Sequence, residues 1–541
     1  MKKYQQKNVL ELLETLNEAH GELRKRIAPE MAVNLLADCQ NFALRIGEYI
    51  EEIEGEGIRT ETVGLLAEYS EIAFKISKGE GTTKELQRQL FEIEHSVRNE
   101  LKPNKLEVVF FPYQLSMFDS FRSVYLAAKA DPDCDAYCVP IPWFDRKADG
   151  TLGKMYYDGD RYLSDIEITD WRSYNVAERH PDVIFTQNPY DGINLVTSVH
   201  PDYYSSALKE KTNLLVFIDY GLPYWMPREP IDGTLLPSHT LSDLYVTYSK
   251  EYVEQTRYLL KRGVSAGLLP KQAMARERVA VLGSPKFDAV INTKRENCVL
   301  PDAWRRLMSG KKVLLLSTSV GAILQGNEKF IEKLQSALET LRGRNDIVVW
   351  WRPHPLSEAT YTSMRPQLLD QYRSIVREYR VGGWGIYDDT PDLHRAIAWS
   401  DGCYTNESSL LFLYLATGKP FAINIVAFSP ENLGKHSSND FASALEWRIR
   451  CMRSAKGANI IDGNCTIWWH AFADMDVIHK VEYCDFLERF IHFILHEDEY
   501  PDAELYRQLK LQMFREFVAN PDGTAGEKIY EHIKKRILEG I

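Results

Sequence analysis

Arg352 and His354 stand directly after an apolar stretch of the sequence, and each is followed by a proline. The apolar residues run from Ile347 to Trp351, and Arg-Pro-His-Pro follows at 352–355. Proline pushes the residue before it toward extended backbone, so both side chains should be held on a stiff, non-helical tip. An arginine fork suits a diphosphate, and a histidine can donate to a phosphate oxygen or transfer a proton. We expect the motif to have one of these roles. The alternative is that the histidine only makes a hydrogen bond to a backbone carbonyl and has no functional role.

Three further motifs follow apolar runs and carry groups that suit a phosphate or a ribose. A glycine lets the backbone approach a ligand, a lysine supplies a point charge, and a helix N-terminus offers free N–H groups beside serine hydroxyls. The alternatives are a linker turn and ordinary helix capping. The predicted donor-binding residues in these motifs are Gly283, Ser284, Lys286, Ser317, Thr318, Asn406, Ser408 and Ser409.

Two aspartates are candidate general bases in the first half of the chain. Asp191 follows the apolar run VIFTQ, and Asp219 follows LLVFI. Tyr220 is a poor base near neutrality because its ordinary pKa is near 10. His200 is a further candidate. Asp388–Asp389 could bind a cation, but a turn before a helix capped by Thr390 explains them more simply, so we predict no metal site.

The elements that must position these residues alternate between short apolar runs and amphipathic helices. Runs with little internal alternation are typical of parallel strands buried on both faces. The pattern predicts an α/β fold with two tandem Rossmann-like, doubly wound domains, whose strand carboxyl ends face a ligand cleft. The expected divisions are an N-terminal helical region at 1–102, a first (acceptor-side) domain at 103–300, a second (nucleotide-donor) domain at 301–430 and a mixed, mainly helical extension at 431–541.

The composition excludes several classes of protein. With 44% hydrophobic and 26% charged residues, the 541-residue chain is typical of a globular protein, and its net charge of -12 argues against nucleic-acid binding. The eight cysteines form no C-x-x-C pair, which disfavours a zinc ribbon and fits a reducing compartment. The longest apolar stretch is broken at 418–420. We therefore expect a cytoplasmic protein without a membrane span.

Taken in order, the motifs resemble those of the CDP-glycerol:poly(glycerophosphate) glycerophosphotransferase family, the teichoic-acid primases and polymerases of GT-B architecture. The matching stretches are GSPKFD at 283–288, RPHP at 352–355 and SDGCYTNESSLLFLYLATGKP at 400–420. The resemblance covers roughly residues 105–430. It implies a CDP-linked donor as co-substrate, no other cofactor, and transfer of a phosphoglycerol unit to a hydroxyl, with CMP leaving, in teichoic acid or capsule synthesis.

The chain departs from the family pattern at three places. Tyr220 stands where the family has histidine, Asn406-Glu407 replaces Asp-Tyr, and Lys286 replaces arginine. The general base therefore remains open among Asp219, Asp191 and His200, while His354 joins Arg352 on the donor diphosphate. The alternatives are a GT-B glycosyltransferase with a nucleotide-sugar donor, a nucleotide-sugar epimerase, and a non-catalytic nucleotide-binding scaffold.

The expected partners follow from the same resemblance. They are a nucleotide-linked donor and a lipid-linked or polymeric acceptor, which would bring the protein to the inner face of the cell membrane. Basic residues beside Trp304 at 303–312 are a candidate membrane contact, although a solvated segment between domains is the simpler interpretation. The N-terminal helices are a candidate surface for oligomer formation.

Overall fold

The structure is a computed structural model, and it describes residues 1, 3–25, 28–55, 60–101, 105–147, 149–162, 165–222, 236–265, 278–406, 408–423, 483–500 and 503–539. The first described elements are four helices: α1 (Lys3–Leu23), α2 (Pro29–Glu54), α3 (Glu61–Ser77) and α4 (Thr83–Asn99). Their apolar residues recur at helical spacing and bury one common core that includes Leu13, Ile46 and Leu66. The predicted N-terminal helical region is confirmed.

Among the described residues, the first α/β unit contains nine strands and six α-helices. In chain order they are β1 (Leu106–Phe110), α5 (Arg122–Ala130), β2 (Cys134–Cys138), β3 (Trp143–Arg146), β4 (Leu152–Tyr156), α6 (Val176–Arg179), β5 (Val183–Thr186), β6 (Thr197–Val199), α7 (Ser205–Leu208), β7 (Leu214–Ile218), α8 (Pro237–Leu241), β8 (Leu244–Thr247), α9 (Lys250–Ser265), β9 (Val279–Val281) and α10 (Pro285–Asn292). Six strands form a parallel sheet in the order β2-β1-β5-β7-β8-β9, and β4-β3-β6 form a small antiparallel sheet. Every residue of β5, β7 and β8 is buried, as uninterrupted apolar runs require.

The second α/β unit is a five-stranded parallel sheet with helices packed on it. Its elements are α11 (Asp302–Met308), β10 (Lys312–Thr318), α12 (Val320–Gly326), α13 (Glu328–Leu341), β11 (Ile347–Pro353), α14 (Ser357–Met364), α15 (Pro366–Gly382), β12 (Ile386–Tyr387), α16 (His394–Trp399), β13 (Gly402–Thr405), α17 (Ser409–Leu415) and β14 (Phe421–Ile423). The strand order is β12-β11-β10-β13-β14. Together the two parallel sheets confirm the predicted fold class of two tandem, Rossmann-like α/β units.

The helix before β13 begins later than the sequence indicates. Thr390 is not its cap, because the Asp388 carboxylate accepts the Thr390 N–H at 3.0 Å and holds that residue in a turn. The helix α16 starts at His394, where Asp392 accepts the backbone N–H groups of His394 and Arg395 at 3.0 and 3.3 Å. A carboxylate in this position satisfies two donors that the helix itself leaves free.

Three C-terminal helices pack onto both α/β units: α18 (Tyr483–Leu495), α19 (Ala503–Phe517) and α20 (Ala525–Glu539). Leu487 of α18 lies in a core cluster of the second sheet, whereas Ile529 of α20 lies in the core of the first. Of the predicted C-terminal extension, residues 431–482 lie outside the described part of the chain. Within the part of the chain that is described, every helix is too short or too polar to cross a lipid bilayer.

Candidate functional site

The carboxyl ends of the second sheet bring several predicted site residues together. Ser317 at the end of β10 is in register with Arg352 on β11 and with Thr405 on β13. The Thr318 carbonyl accepts the His354 N–H at 3.1 Å, so the tip after β11 is tied to the end of β10. Asn406 uses its side-chain oxygen to accept the Ser319 N–H at 3.3 Å, and Ser408 and Ser409 follow at the start of α17.

A cavity of about 640 Å³ opens beside this edge, between the two α/β units. The first unit contributes Gln114, Ser116, Trp143, Asp158 and Arg161. The second unit contributes residues 352–358, one face of α15 and the turn after β12. Of the predicted site residues that the structure describes, Arg352 and His354 line this cavity, and the other strand-end residues lie outside its lining.

Arg352 is engaged inside the protein rather than left free for a ligand. Its side chain is 6% exposed, Nη1 lies 2.9 Å from Asp388 Oδ2, and Nη2 donates to the Thr390 carbonyl at 2.5 Å. Burial lowers the pKa of Arg352, and Asp388 opposes that change. This guanidinium is a buried cation at the cavity wall, and the charge of Asp388 balances it. Its predicted contact with a diphosphate stays a prediction.

Asp388 is likewise committed to structure and not to a cation. Its carboxylate accepts from Trp350 Nε1 at 3.0 Å and from Arg395 Nη2 at 3.1 Å, besides the contacts with Arg352 and Thr390. Burial acts to raise its pKa, but the arginines and the hydrogen bonds hold the pKa below the ordinary value. No group of three histidine, cysteine or acidic side chains suited to a metal occurs among the residues that the structure describes.

His354 is held as a neutral hydrogen-bond donor at the cavity wall. Its Nδ1 accepts the Leu356 N–H at 3.1 Å, so the proton of the neutral ring belongs on Nε2. Burial lowers the pKa of His354 to about 4, and the nearby charge of Arg352 lowers it as well. Near neutrality this ring can therefore donate to an anion, whereas Nδ1 is not available to take a proton.

Lys286 belongs to a buried cluster that joins the two units. Its Nζ donates to both oxygens of Asp119 at 2.6 and 2.7 Å, and the side chain is 7% exposed. His394 Nε2 from the second unit lies 2.9 Å from Asp119 Oδ2. Burial would raise the pKa of Asp119, but Lys286 and His394 hold it down at about 2. Lys286 is therefore paired with a carboxylate of the protein, and its predicted contact with a phosphate stays a prediction.

The N-terminus of the C-terminal helix α20 packs against the turn that contains Gly283 and Ser284. Gly283 has φ +95°, and a Cβ built there would lie 2.5 Å from the Ala519 carbonyl oxygen and 2.7 Å from Ala525 Cβ. Asp288 accepts the backbone N–H groups of Ala525 and Gly526 at 3.0 and 2.8 Å, which caps α20. Ser284 caps α10 by accepting the Lys286 N–H at 3.4 Å. The close approach of the C-terminal helix accounts for a glycine at this position, and the predicted role of Gly283 at a ligand stays a prediction.

Asp219 lies at the carboxyl end of β7 with an unusually weak acidity. Burial raises its pKa to about 7, although the Gly221 N–H at 2.8 Å and the charge of Lys286 both act to lower it. Its neighbour Tyr220 packs edge-on to Tyr113, with ring centroids 6.1 Å apart. Asp219 is not part of the described cavity lining, but Tyr113 directly precedes Gln114, which is. A carboxyl group with this pKa can take up and release a proton near neutrality.

The other candidate bases are occupied or lie on the surface. Both oxygens of Asp191 accept the Ser205 N–H at 3.0 Å, and Oδ1 also accepts the Ser205 hydroxyl at 3.1 Å. His200 Nδ1 accepts the Asp202 N–H at 3.3 Å. Neither residue lines the described cavity. Asp191 therefore holds α7 in place. Asp219 does not line the cavity either, but of the three it is the one whose pKa is raised to about 7.

Four residues at or near the cleft were not predicted from their sequence pattern. Asp119 and His394 were not singled out, and neither was Gln114, which precedes the 3₁₀ helix after β1. Arg377 is the fourth, on the face of α15 that lines the cavity. A signal was present for three of them: Asp119 and Gln114 follow a strand end in the first unit, and Arg377 recurs with Arg373 and Arg380 at helical spacing. Nothing in the sequence around His394 singles it out.

Comparisons with known proteins leave the family open. No protein-family model matches the chain, and no functionally curated protein matches it. Similar solved structures include MnaA from S. aureus with UDP, which is 14% identical, covers 81% of this chain and 98% of that chain, and has a TM-score of 0.44. The wall teichoic acid polymerase TagF is 13% identical, with 88% and 98% coverage and a TM-score of 0.43. UDP-GlcNAc 2-epimerase from Neisseria meningitidis bound to UDP-GlcNAc is 14% identical, with 80% and 100% coverage and a TM-score of 0.42. At this identity and TM-score, these likenesses assign neither a family nor an activity to the chain.

Proposed function

We propose that this protein transfers a phosphoglycerol or related polyol-phosphate unit from a CDP-linked donor to a hydroxyl acceptor. The observation that carries the proposal is the cavity between two parallel α/β units, with the His354 Nε2–H donor at its wall. In open α/β sheets, ligands bind outside the carboxyl ends of the strands, and this cavity lies there. The ordered motifs at 283–288, 352–355 and 400–420 support a CDP-linked donor.

In the proposed reaction, the acceptor hydroxyl oxygen attacks the donor phosphorus that carries the glycerol. A new phosphorus–oxygen bond forms, the bond to the CMP oxygen breaks, and CMP leaves with its charge. Asp219 takes the proton from the acceptor hydroxyl, because its pKa of about 7 suits a base at neutral pH. His354 donates from Nε2 to a diphosphate oxygen, and catalysis rests mainly on such positioning and charge stabilisation.

The decisive experiment measures CMP release from CDP-glycerol with and without glycerol phosphate as the hydroxyl acceptor. We expect acceptor-dependent release that rises with pH through about 7, because Asp219 must lose its proton before it can act as a base. Asp219→Asn should lower kcat by at least about a hundredfold and remove that limb, while the donor KM changes little. The matched control is Asp202→Asn, since Asp202 is 77% exposed beside His200.

Parallel assays with UDP-GlcNAc and CMP-linked sugars separate the other candidate functions. Transfer from a nucleotide sugar would replace the proposal with a glycosyltransferase, and interconversion of the sugar would indicate an epimerase. Binding of CDP-glycerol without CMP release would favour the scaffold. If the protein binds none of these nucleotides, the proposed donor class is refuted.

A further inference from the structure

The charge that faces the cavity comes from one side of α15. Residues four and three positions apart on a helix share a face, so Arg373, Arg377 and Arg380 all reach the cavity lining. The lining holds five arginines against three carboxylates, although the chain as a whole carries a net charge of -12. A basic cavity in an acidic protein concentrates anions locally.

Three of these five arginines have acidic partners at the cavity rim. Arg373 Nε lies 2.9 Å from Glu358 Oε1, Arg380 pairs with Asp389, and Arg161 lies 3.1 Å from Asp158. The pairs of Arg373 and Arg380 are about half exposed on both sides. Exposed pairs of this kind contribute little free energy, so an incoming anion can replace their carboxylates.

Arg377 differs from its neighbours. Its only described partner is the Ser374 hydroxyl at 3.3 Å, and no described carboxylate lies within ion-pair distance of it. Arg352, the fifth arginine of the lining, is buried and balanced by Asp388. The unbalanced positive charge of the cavity is therefore that of Arg377, and the motif arginine does not supply it.

The opposite wall offers a second, independent donor. The Gln114 side chain is 4% exposed, yet its buried Nε2 has no hydrogen-bond partner among the described residues. Buried amide groups are nearly always satisfied, so an unpaired donor at a cavity wall indicates a ligand acceptor atom. Gln114 from the first unit and His354 and Arg377 from the second thus line one cavity, and each carries a hydrogen-bond donor.

We propose that Arg377, flanked by Arg373 and Arg380 and faced by Gln114, binds a phosphate ester. A phosphate offers several acceptor oxygens and a charge that an arginine fork matches. The carrier of this phosphate is either the diphosphate of the nucleotide donor or a phosphate on the acceptor. The inference deepens the proposed function and rests on it for the identity of that carrier.

The first test is calorimetric titration of the full chain with inorganic pyrophosphate. Arg377→Ala should weaken binding by about tenfold or more, because it removes a charge-assisted hydrogen bond. Arg305→Ala, on the exposed face of α11, makes the same charge change outside the cavity and should bind as wild type. Equal binding by wild type and Arg377→Ala, or an equal loss in Arg305→Ala, overturns the site.

A second variant predicts a change in the opposite direction. Glu358→Gln removes the carboxylate that competes for Arg373, so pyrophosphate should bind severalfold more tightly. A merely structural role for this pair would not produce tighter binding. Unchanged or weaker binding in Glu358→Gln overturns the part of the proposal that assigns Arg373 to the anion.

Kinetics distinguish the carrier, and they separate this inference from the proposed function. If Arg377→Ala raises only the KM for CDP-glycerol, the phosphate belongs to the donor; if it raises only the KM for glycerol phosphate, the phosphate belongs to the acceptor. Pyrophosphate binding that depends on Arg377, without binding of CDP-glycerol, would keep the anion site and refute the proposed donor. CDP-glycerol turnover unaffected by Arg377→Ala, with both KM values unchanged, would refute the anion site and keep the function.

Discussion

Replacing Asp119 by asparagine tests the buried cluster that joins the two α/β units. The change keeps an oxygen that can accept from His394 Nε2, but it removes the negative charge between Lys286 and His394. Lys286 is 7% exposed, so its charge would lose its counter-ion away from water. Breaking a buried pair by removing one partner costs about 3–5 kcal/mol.

The pKa of Asp119 gives a second route to the magnitude. Lys286 and His394 outweigh burial and hold the pKa at about 2, against an ordinary value of 3.8. At 1.36 kcal/mol for each pH unit, this difference corresponds to about 2–3 kcal/mol of stability. Because the folded pKa is lowered, the contribution is present above about pH 4 and is lost as the pH falls toward 2. Asp119→Asn should therefore cost about 3 kcal/mol at pH 7 and remove this part of the acid dependence.

Urea unfolding followed by tryptophan fluorescence measures the change in the free energy of unfolding. Asp165→Asn is the matched control, since Asp165 pairs with Arg122 on the surface with both side chains half exposed, and should cost less than about 1 kcal/mol. Adding Lys286→Met to Asp119→Asn should recover at least half of the loss, because it removes the unbalanced charge. A cost for Asp119→Asn no larger than that of the control would refute the assignment of a buried, charge-coupled cluster.

Three further predictions each concern a single residue. Gly283→Ala should lower the free energy of unfolding by at least about 2 kcal/mol and expose α20 to proteolysis, because the added Cβ would lie 2.5 Å from the Ala519 carbonyl oxygen. The control is Gly310→Ala, which is also at positive φ but has open space around it. It should lower the free energy of unfolding by only about 1 kcal/mol. Burial lowers the pKa of Lys510 to about 7, whereas the pKa in the unfolded chain is near 10.4. The stability of the wild type therefore rises with pH between these two values, and at pH 7 the buried lysine is still destabilising. Lys510→Met should accordingly raise the unfolding midpoint at pH 7. Nitrogen NMR of His354 should show a neutral ring with its proton on Nε2 down to about pH 5, and a midpoint near 6.5 would contradict the burial argument.

The parallel sheets could be predicted because the local pattern of the sequence determines them. Runs such as LLVFI and IVVWW have no polar alternation, so they can only be buried on both faces, as β7 and β11 are. The position of α20 could not be read in this way. The pattern of an amphipathic helix predicts that it buries one face. The position of the α20 N-terminus, however, depends on a hydrogen bond to Asp288, more than 230 residues earlier in the chain.

The sequence predicts how the local backbone presents the candidate site residues. It does not predict the side chains, distant along the chain, that pair with them. The prolines after Arg352 and His354 do present both residues at the strand end, as expected. Nothing near Arg352 in the sequence reveals that Asp388 from the neighbouring strand end would balance it. Lys286 shows the same limit, because its partner Asp119 lies 167 residues away and becomes a neighbour only in the folded chain.

The ion pairs of Arg352 and Lys286 bear on how an anion would bind in the cleft. Each of these cations is buried against a carboxylate, so an anion that displaced either carboxylate would leave a buried charge unpaired, at a cost of several kcal/mol. Arg377 lines the same cavity, and no described carboxylate lies within ion-pair distance of it. Under the proposed anion site, an anion that enters the cleft therefore gains most by approaching α15. His354 and Gln114 then become neutral donors that orient the anion, because neither carries the charge that attracts it.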